Sequence, residues 1–173
     1  MFIDFTDEQK ALREELREYY SKLITPEIIE LQKAEEGTGP VRRKLVEQLG
    51  KDGWIAMGWP EEYGGQGKSA IEQFIFYDET MRVGSPAPML TINTVGPTIM
   101  EYGTDEQKDF FLPQIAAGKM HFCIGYSEPD AGTDLASLTT RAVRDGDEYV
   151  INGQKTWTSL ALGCDYIWLA ART

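Results

Sequence analysis

The sequence predicts an α+β protein in which an all-helical region precedes a region of β-strands. In the first two-thirds of the chain, apolar residues recur at helical spacing and capping patterns mark several helix starts. After Lys119 the spacing becomes that of extended strands, and the Asp-Gly and Asn-Gly dipeptides at residues 145–146 and 152–153 are turn signals. We therefore expect a domain boundary near residue 119.

Two helices are predicted near the N-terminus. Thr6 and Gln9 form a capping-box pattern at the start of the first helix. Its apolar residues, which should share one buried face, are Leu12, Leu16, Tyr19, Tyr20 and Leu23. The second helix can begin with Pro40 at its first position and end at Gly50. The residues that it should bury are Val41, Leu45 and Leu49.

Two later helices also begin with capping-box patterns, at Ser69 with Glu72 and at Thr104 with Gln107. The first of them follows residues 53–67, whose glycines and proline predict an ordered loop.

Pro97 interrupts the helical pattern between these two helices. Its ring and its missing N–H should break a helix over residues 92–102. We expect Gly96 to cap a short new helix that ends at Gly103.

Five strands are predicted after Lys119, at residues 121–126, 138–144, 148–151, 154–159 and 166–171. An Asn-Gly hairpin turn should join the third and fourth strands. The last strand is apolar, and no later strand or helix covers its edge, which would invite aggregation. We therefore expect the strand domain to be incomplete within these 173 residues. The alternative is that an earlier strand or a partner chain covers that edge.

Composition argues against several classes of function. The formal net charge of −11 argues against nucleic-acid binding through a general basic surface, because phosphate contacts draw on lysine and arginine. No stretch approaches the roughly 20 apolar residues that span a bilayer, and the acidic residues 1–10 lack the features of a signal peptide. Cys123 and Cys164 form no metal-binding pattern. We expect two buried thiols in a reducing, cytoplasmic compartment and no metal site.

The residues most suited to ligand binding lie in two segments. In GYSEPDAGTD, residues 125–134, small residues allow close backbone approach, and Ser127 and Thr133 offer hydroxyls. The alternative is an ordinary loop whose polar side chains cap its own backbone. In NGQKTWTS, residues 152–159, strand alternation would place Trp157 and Ser159 on one face and Thr158 on the other. An aromatic wall beside a hydroxyl suits a flat heteroaromatic ring, whereas packing of Trp157 in the core is the alternative.

These segments carry a family resemblance. GYSEPDAGTD and INGQKTWTS, preceded by GWPEEYGGQG and YGTDEQKDFFLPQIAAG, resemble the acyl-CoA dehydrogenase family in order and spacing. The family usually has an aliphatic residue where this chain has Tyr126. The resemblance implies an N-terminal helical domain at residues 1–119, the first part of an antiparallel middle β-barrel domain at residues 120–173, and a C-terminal helical bundle beyond them.

The resemblance also implies an FAD cofactor and a role for each matched residue. Tyr126 and Ser127 should hold the pyrimidine edge of the flavin through backbone and hydroxyl hydrogen bonds. Trp157 should pack on the ring system, with the Thr158 backbone and the Ser159 hydroxyl near the nitrogen that accepts hydride. Thr133 should contact the pyrophosphate or the CoA end of the substrate.

The reaction implied is removal of the α-proton of an acyl-CoA thioester by a carboxylate and transfer of the β-hydrogen to the flavin as hydride, giving a trans-2-enoyl-CoA. The family's base is a glutamate in the C-terminal bundle, beyond residue 173, so Glu128 is not assigned that role.

Electron-transfer flavoprotein is the expected electron acceptor, and the expected assembly is a homo- or hetero-oligomer, either a dimer or a tetramer. Residues 78–98 and the sequence TWTSL look most like members that act on steroid side-chain CoA esters.

Two rival functions remain open at this point. The chain could be a non-catalytic, cofactor-sharing subunit of a heteromeric dehydrogenase. A serine hydrolase would use Ser127 with His121, Asp130 or Asp134, but GYSEP lacks the GxSxG pattern of a nucleophile elbow and is followed by strands. We expect His121 to be a structural histidine.

Overall fold

A computed structural model describes residues 4–35 and 38–173, so residues 1–3 of the acidic start lie outside the described part. The chain divides into two compact units, one that ends at Met120 and one that comprises His121–Thr173. None of the helices in the described ranges is both long enough and apolar enough to cross a membrane.

The described part of the first unit, called the helical unit, is built from six α-helices. They are α1 (Asp7–Leu23), α2 (Pro26–Ala34), α3 (Pro40–Lys51), α4 (Ala70–Arg82), α5 (Gly96–Tyr102) and α6 (Asp105–Ala116). The three predicted capping boxes are confirmed, because the side chains of Thr6, Ser69 and Thr104 each accept a bond from the N–H three residues later. The sequence prediction lacks α2, which has no buried residue and therefore a weak apolar pattern.

The core of the helical unit lies between these helices. Its fully buried large side chains include Leu16 and Tyr20 of α1, Val46 and Leu49 of α3, Ile75 and Phe76 of α4, and Leu112 and Ile115 of α6. Where α1 packs on α4, Arg17 Nε lies 3.0 Å from Glu79 Oε1, and the Tyr20 and Thr80 hydroxyls lie 2.6 Å apart. Val41, predicted to be buried, is only half-buried.

The predicted helix break at Pro97 is wrong, whereas the predicted helix end at Gly103, the C-cap of α5, is confirmed. A π-helical turn, Thr91–Val95, leads directly into α5, and Gly96 is helical with φ −55° and ψ −56°. The Gly96 N–H donates to the Thr91 carbonyl oxygen, one residue further back than in an α-helix. This wider turn lets the helix continue past Pro97, whose ring and missing N–H conflict with ordinary α-helical bonding.

The second unit, called the β unit, contains two two-stranded sheets. Its strands are β1 (Phe122–Gly125), β2 (Arg141–Asp145), β3 (Glu148–Asn152) and β4 (Tyr166–Leu169). Strands β1 and β4 are parallel, with Phe122 opposite Tyr166, and β2 and β3 form an antiparallel hairpin. The predicted order of a helical region and then a strand region is confirmed. Residues 121–173 do not form a closed antiparallel barrel, because β4 returns to pair in parallel with β1, an earlier strand that covers one edge of β4.

The predicted hairpin at Asn152 and Gly153 is wrong. The turn lies at residues 146–147, between β2 and β3, and residues 153–159 form no strand. Gly153 is needed for close packing instead, because a Cβ at this position would collide with the Thr140 side chain. After β3 the chain continues as a loop.

Candidate functional site

Two loops of the β unit carry the residues predicted to bind a ligand. The β1 loop, residues 126–134, follows β1, and the β3 loop, residues 153–160, follows β3. Together they contain Tyr126, Ser127, Thr133, Trp157, Thr158 and Ser159. Neither loop contains a helix or a strand, so its shape depends on the bonds that it makes.

Direct hydrogen bonds hold the two loops side by side. The Thr156 N–H donates to the Ser127 carbonyl oxygen at 2.9 Å. Lys155 Nζ donates to the Tyr126 carbonyl oxygen, also at 2.9 Å. Tyr126 and Ser127 therefore lie next to the segment that leads into Trp157, Thr158 and Ser159.

A buried ion pair joins the same loops. Lys155 Nζ lies 2.9 Å from Glu128 Oε1, and the two side chains are 8% and 5% exposed. The Thr140 N–H donates to Glu128 Oε1 at 2.8 Å, while the N–H and the hydroxyl of Thr139 donate to Oε2 at 2.7 and 2.8 Å. Hydrogen bonds from Thr140 and Lys155 hold the pKa of Glu128 well below its ordinary value. The carboxylate is therefore ionised at neutral pH and surrounded by donors.

Sequence reasoning missed this pair. Glu128 and Lys155 belong to different motifs and lie 27 positions apart, so no helical or strand spacing connects them. The available signal is weak: each is an ionisable residue among small and polar neighbours, which does not identify its partner.

Thr133 is not brought together with the other predicted residues. A turn precedes it. The Glu128 N–H donates to the Ala131 carbonyl oxygen at 2.8 Å, and the Ala131 N–H donates to the Glu128 carbonyl oxygen at 3.2 Å. Thr133 itself is exposed. Within residues 4–35 and 38–173, no hydrogen bond connects it to the β3 loop.

Trp157 has a left-handed backbone conformation and an exposed side chain. Its φ is 56°, that of Leu160 is 66°, and the Trp157 side chain is 87% exposed. The Ser159 N–H donates to the Trp157 carbonyl oxygen at 2.7 Å, which closes a tight turn. The predicted strand alternation of Trp157, Thr158 and Ser159 is therefore wrong, and Trp157 is not packed in the core of the β unit. A left-handed conformation costs a non-glycine residue about 1–2 kcal/mol, and such strain often marks functional sites.

The loops offer donors to a ligand. In the described part of the chain, the backbone N–H groups of Ser127 and Thr158 have no protein acceptor. Free N–H groups and hydroxyls can bind carbonyl oxygens and ring nitrogens, and an exposed indole can stack on a flat ring. The donor set fits a planar heteroaromatic ligand with acceptor atoms along its edge.

The geometry does not support a serine hydrolase. Ser127 lies in a loop that continues into a turn, whereas a nucleophile elbow leads from a strand directly into a helix. His121 is buried, and its backbone N–H donates to Asp165 Oδ2 at 2.9 Å. Among the described residues, no hydrogen bond connects Ser127 to His121, Asp130 or Asp134.

The two cysteines are free thiols in contact with each other. Their Sγ atoms lie 2.9 Å apart, and the Cys164 thiol donates to Cys123 Sγ. Cys123 is buried, whereas Cys164, also predicted to be buried, is only half-buried. Burial raises the pKa of the Cys123 thiol to about 11.

Two family models match the chain. The model described as "Acyl-CoA dehydrogenase, N-terminal domain" matches residues 6–119. The model described as "Acyl-CoA dehydrogenase, middle domain" matches residues 123–173.

Similar proteins and solved structures agree with these matches. The chain is 61% identical to acyl-CoA dehydrogenase FadE26 of Mycobacterium tuberculosis, covering 100% of the chain and 44% of that protein. The crystal structure of the ChsE4-ChsE5 complex from Mycobacterium tuberculosis aligns with a TM-score of 0.95 and 61% identity, covering 100% of this chain and 44% of that chain. The structure of the Tcur3481-Tcur3483 steroid ACAD aligns with a TM-score of 0.93 and 54% identity, covering 100% and 45%. The chain thus spans less than half the length of these relatives.

Proposed function

Because this chain belongs to the acyl-CoA dehydrogenase family, we propose that it holds FAD within a longer enzyme that oxidises acyl-CoA thioesters to trans-2-enoyl-CoA esters. Residues 1–119 would be the N-terminal helical domain, and residues 120–173 the first part of the middle β-domain. The observation that carries the proposal is the bonding of Lys155 and Thr156 to the Tyr126 and Ser127 carbonyl oxygens, which keeps two expected flavin-contact segments together.

The residues of the two loops are suited to different parts of the cofactor. Tyr126 and Ser127 would hold the pyrimidine edge of the flavin, with the Ser127 N–H and hydroxyl as donors. Trp157 would pack on the ring system, and the Thr158 N–H and Ser159 hydroxyl would lie near the nitrogen that accepts hydride. Thr133 would contact the pyrophosphate or the CoA end of the substrate, in keeping with its position outside the bonds that join the loops.

When bound, FAD would supply the acceptor for the β-hydrogen as hydride, and a carboxylate would remove the α-proton of the acyl-CoA. The residues of this chain would bind the ring, orient it and shield its edge from water. Glu128 is unsuited to be the base, because its oxygens accept bonds from Lys155, Thr139 and Thr140 and its lowered pKa makes it a weak proton acceptor. The base would be a glutamate outside residues 1–173.

The proposed substrate class is the CoA thioester of a steroid side chain. This proposal is supported by the 54% identity to a structure described as a steroid ACAD. A hetero-oligomeric assembly is supported by similarity to a two-component complex, with a homo-oligomer as the other possibility. Electron-transfer flavoprotein would accept the electrons, and we expect a cytoplasmic location.

The alternative is a non-catalytic subunit that shares the cofactor site with a partner chain. Similarity to the ChsE4-ChsE5 complex favours keeping this alternative, since two different chains assemble there. The two proposals differ in whether the full-length form of this chain supplies the catalytic base.

The test is flavin retention by the full-length protein purified with any partner. We expect the visible absorbance of oxidised flavin, bleached when a steroid side-chain CoA thioester is added without oxygen. Trp157→Ala and Ser159→Ala should each lower retention, whereas Leu162→Ala, at a 95% exposed position outside both loops, should not. Colourless protein that FAD cannot reconstitute would refute the proposal. Bound flavin that substrate fails to bleach would favour the non-catalytic alternative.

A further inference from the structure

We propose that Glu128 and Lys155 are positioning residues that fix the direction in which the β1 loop presents its backbone donor to the flavin. The identity of the ligand rests on the proposed function. The positioning itself rests on the bonds of the buried pair and can be tested without the ligand.

Lys155 orients the peptide group that joins Tyr126 to Ser127. Its Nζ donates to the Tyr126 carbonyl oxygen at 2.9 Å. No cis peptide bond is found in the described part of the chain, and in a trans peptide the C=O and the following N–H point in opposite directions. The Ser127 N–H therefore points away from Lys155. Because this N–H has no acceptor among the described residues, Lys155 directs a free donor outward from the contact between the loops.

The next peptide group is held in the same manner. The Thr156 N–H donates to the Ser127 carbonyl oxygen at 2.9 Å, and the Glu128 N–H, on the other side of that peptide, donates to the Ala131 carbonyl oxygen at 2.8 Å. Two consecutive peptide groups of the β1 loop are thus oriented by two consecutive residues of the β3 loop. Rotation of the Ser127 N–H would require breaking at least one of these bonds.

Glu128 keeps Lys155 in place. An ammonium group on a side chain that is only 8% exposed is strongly disfavoured without a counter-ion, and Glu128 supplies one at 2.9 Å. The carboxylate is itself fixed by the backbone N–H groups of Thr139 and Thr140, just before β2. The pair therefore connects the orientation of the Ser127 N–H to the β2–β3 hairpin.

The test compares Lys155→Met and Lys155→Arg with the wild type in the full-length protein. Lys155→Met should weaken FAD binding about tenfold or more, because a charge-assisted bond to the loop is lost. Without FAD, amide hydrogen exchange at Thr156 and Glu128 should accelerate by a similar factor. Lys155→Arg, which keeps the charge and donors, should recover part of both effects. Lys22→Met is the control. It breaks the ion pair between Lys22 and Glu18, and both of these side chains are 72% exposed.

The double variant Glu128→Gln with Lys155→Met separates positioning from stability. It leaves no unpaired buried charge, so its unfolding temperature should exceed that of Lys155→Met, while FAD binding should stay weak. The inference would be overturned if this double variant bound FAD as tightly as the wild type. It would also be overturned if Lys155→Met kept both the amide exchange rates and the FAD affinity of the wild type. If the wild type binds no FAD, the proposed function fails, and the exchange rates in FAD-free protein still decide whether the pair orients the loop.

Discussion

The indole N–H of Trp59 donates to the Ile92 carbonyl oxygen at 3.0 Å, inside the π-helical turn before α5. In an α-helix that carbonyl would accept the Gly96 N–H, which donates instead to Thr91. Gly96 also packs against the Trp59 ring so closely that a Cβ would collide with it. The irregular turn and the buried indole therefore depend on each other.

Trp59→Phe should lower the free energy of unfolding by about 1–3 kcal/mol, because a buried carbonyl oxygen loses its donor. Denaturant unfolding followed by far-ultraviolet circular dichroism measures the change. Trp54→Phe is the matched control, since Phe can keep the ring contact with Tyr19, whose ring centre lies 5.7 Å away. Equal changes in both variants would contradict the role of the hydrogen bond.

The stability of the β unit should fall in acid because of Glu128. Hydrogen bonds from Thr140 and Lys155 lower its pKa in the folded protein below the ordinary value of 4.5. A group with a lowered folded-state pKa stabilises the fold above its unfolded pKa, and this contribution is lost as the pH falls through the folded pKa. The unfolding temperature should therefore begin to fall below about pH 4.5, and Glu128→Gln should flatten this dependence. Glu30→Gln, in an ion pair with Lys33 whose two side chains are 73% and 67% exposed, should leave the slope nearly unchanged.

The two thiols should react with iodoacetamide at different rates. Since burial raises the pKa of Cys123 to about 11, its thiolate fraction at about pH 8 is roughly one in a thousand. Native protein should therefore be alkylated first at the half-buried Cys164, as mass spectrometry of peptides can show. In denaturant the two rates should become similar. Faster labelling of Cys123 in the native protein would contradict its assigned burial.

Leu160→Gly should stabilise the FAD-free protein by up to about 1 kcal/mol, because glycine removes the cost of a left-handed conformation at φ 66°. Leu160 is 42% exposed, so the loss of its apolar burial and the greater chain entropy of glycine offset much of the gain. The control is Leu162→Gly in the neighbouring 3-10 turn, Ala161–Gly163, which should be neutral or destabilising. A larger stability loss for Leu160→Gly than for Leu162→Gly, measured as the unfolding temperature, would show that no strain is relieved.

The helix starts could be predicted from sequence because capping is local. Thr6, Ser69 and Thr104 each bond to a group three residues away. The path of the chain at Pro97 could not be predicted, because it depends on an indole at Trp59 that is distant in sequence.

The candidate site was predictable only in part for the same reason. The family resemblance identified the two segments, but the local Asn-Gly signal predicted a hairpin that tertiary contacts replace. Gly153 packs against Thr140, and Lys155 bonds to Glu128 and Tyr126, which draws this segment away from a strand. Those partners come from elsewhere in the chain, and no pattern of period two or 3.6 contains them.

The parallel pairing of β1 with β4 has a consequence for the order of folding. Phe122 can pair with Tyr166 only after the chain between them has formed a closed loop. That chain segment includes both loops of the candidate site. Closing a flexible loop of this size costs about 3 kcal/mol of chain entropy before any pairing compensates. The β2–β3 hairpin, in contrast, needs only a local turn. Long-range pairing slows folding, so the two loops should become ordered late, after the neighbouring hairpin has already formed.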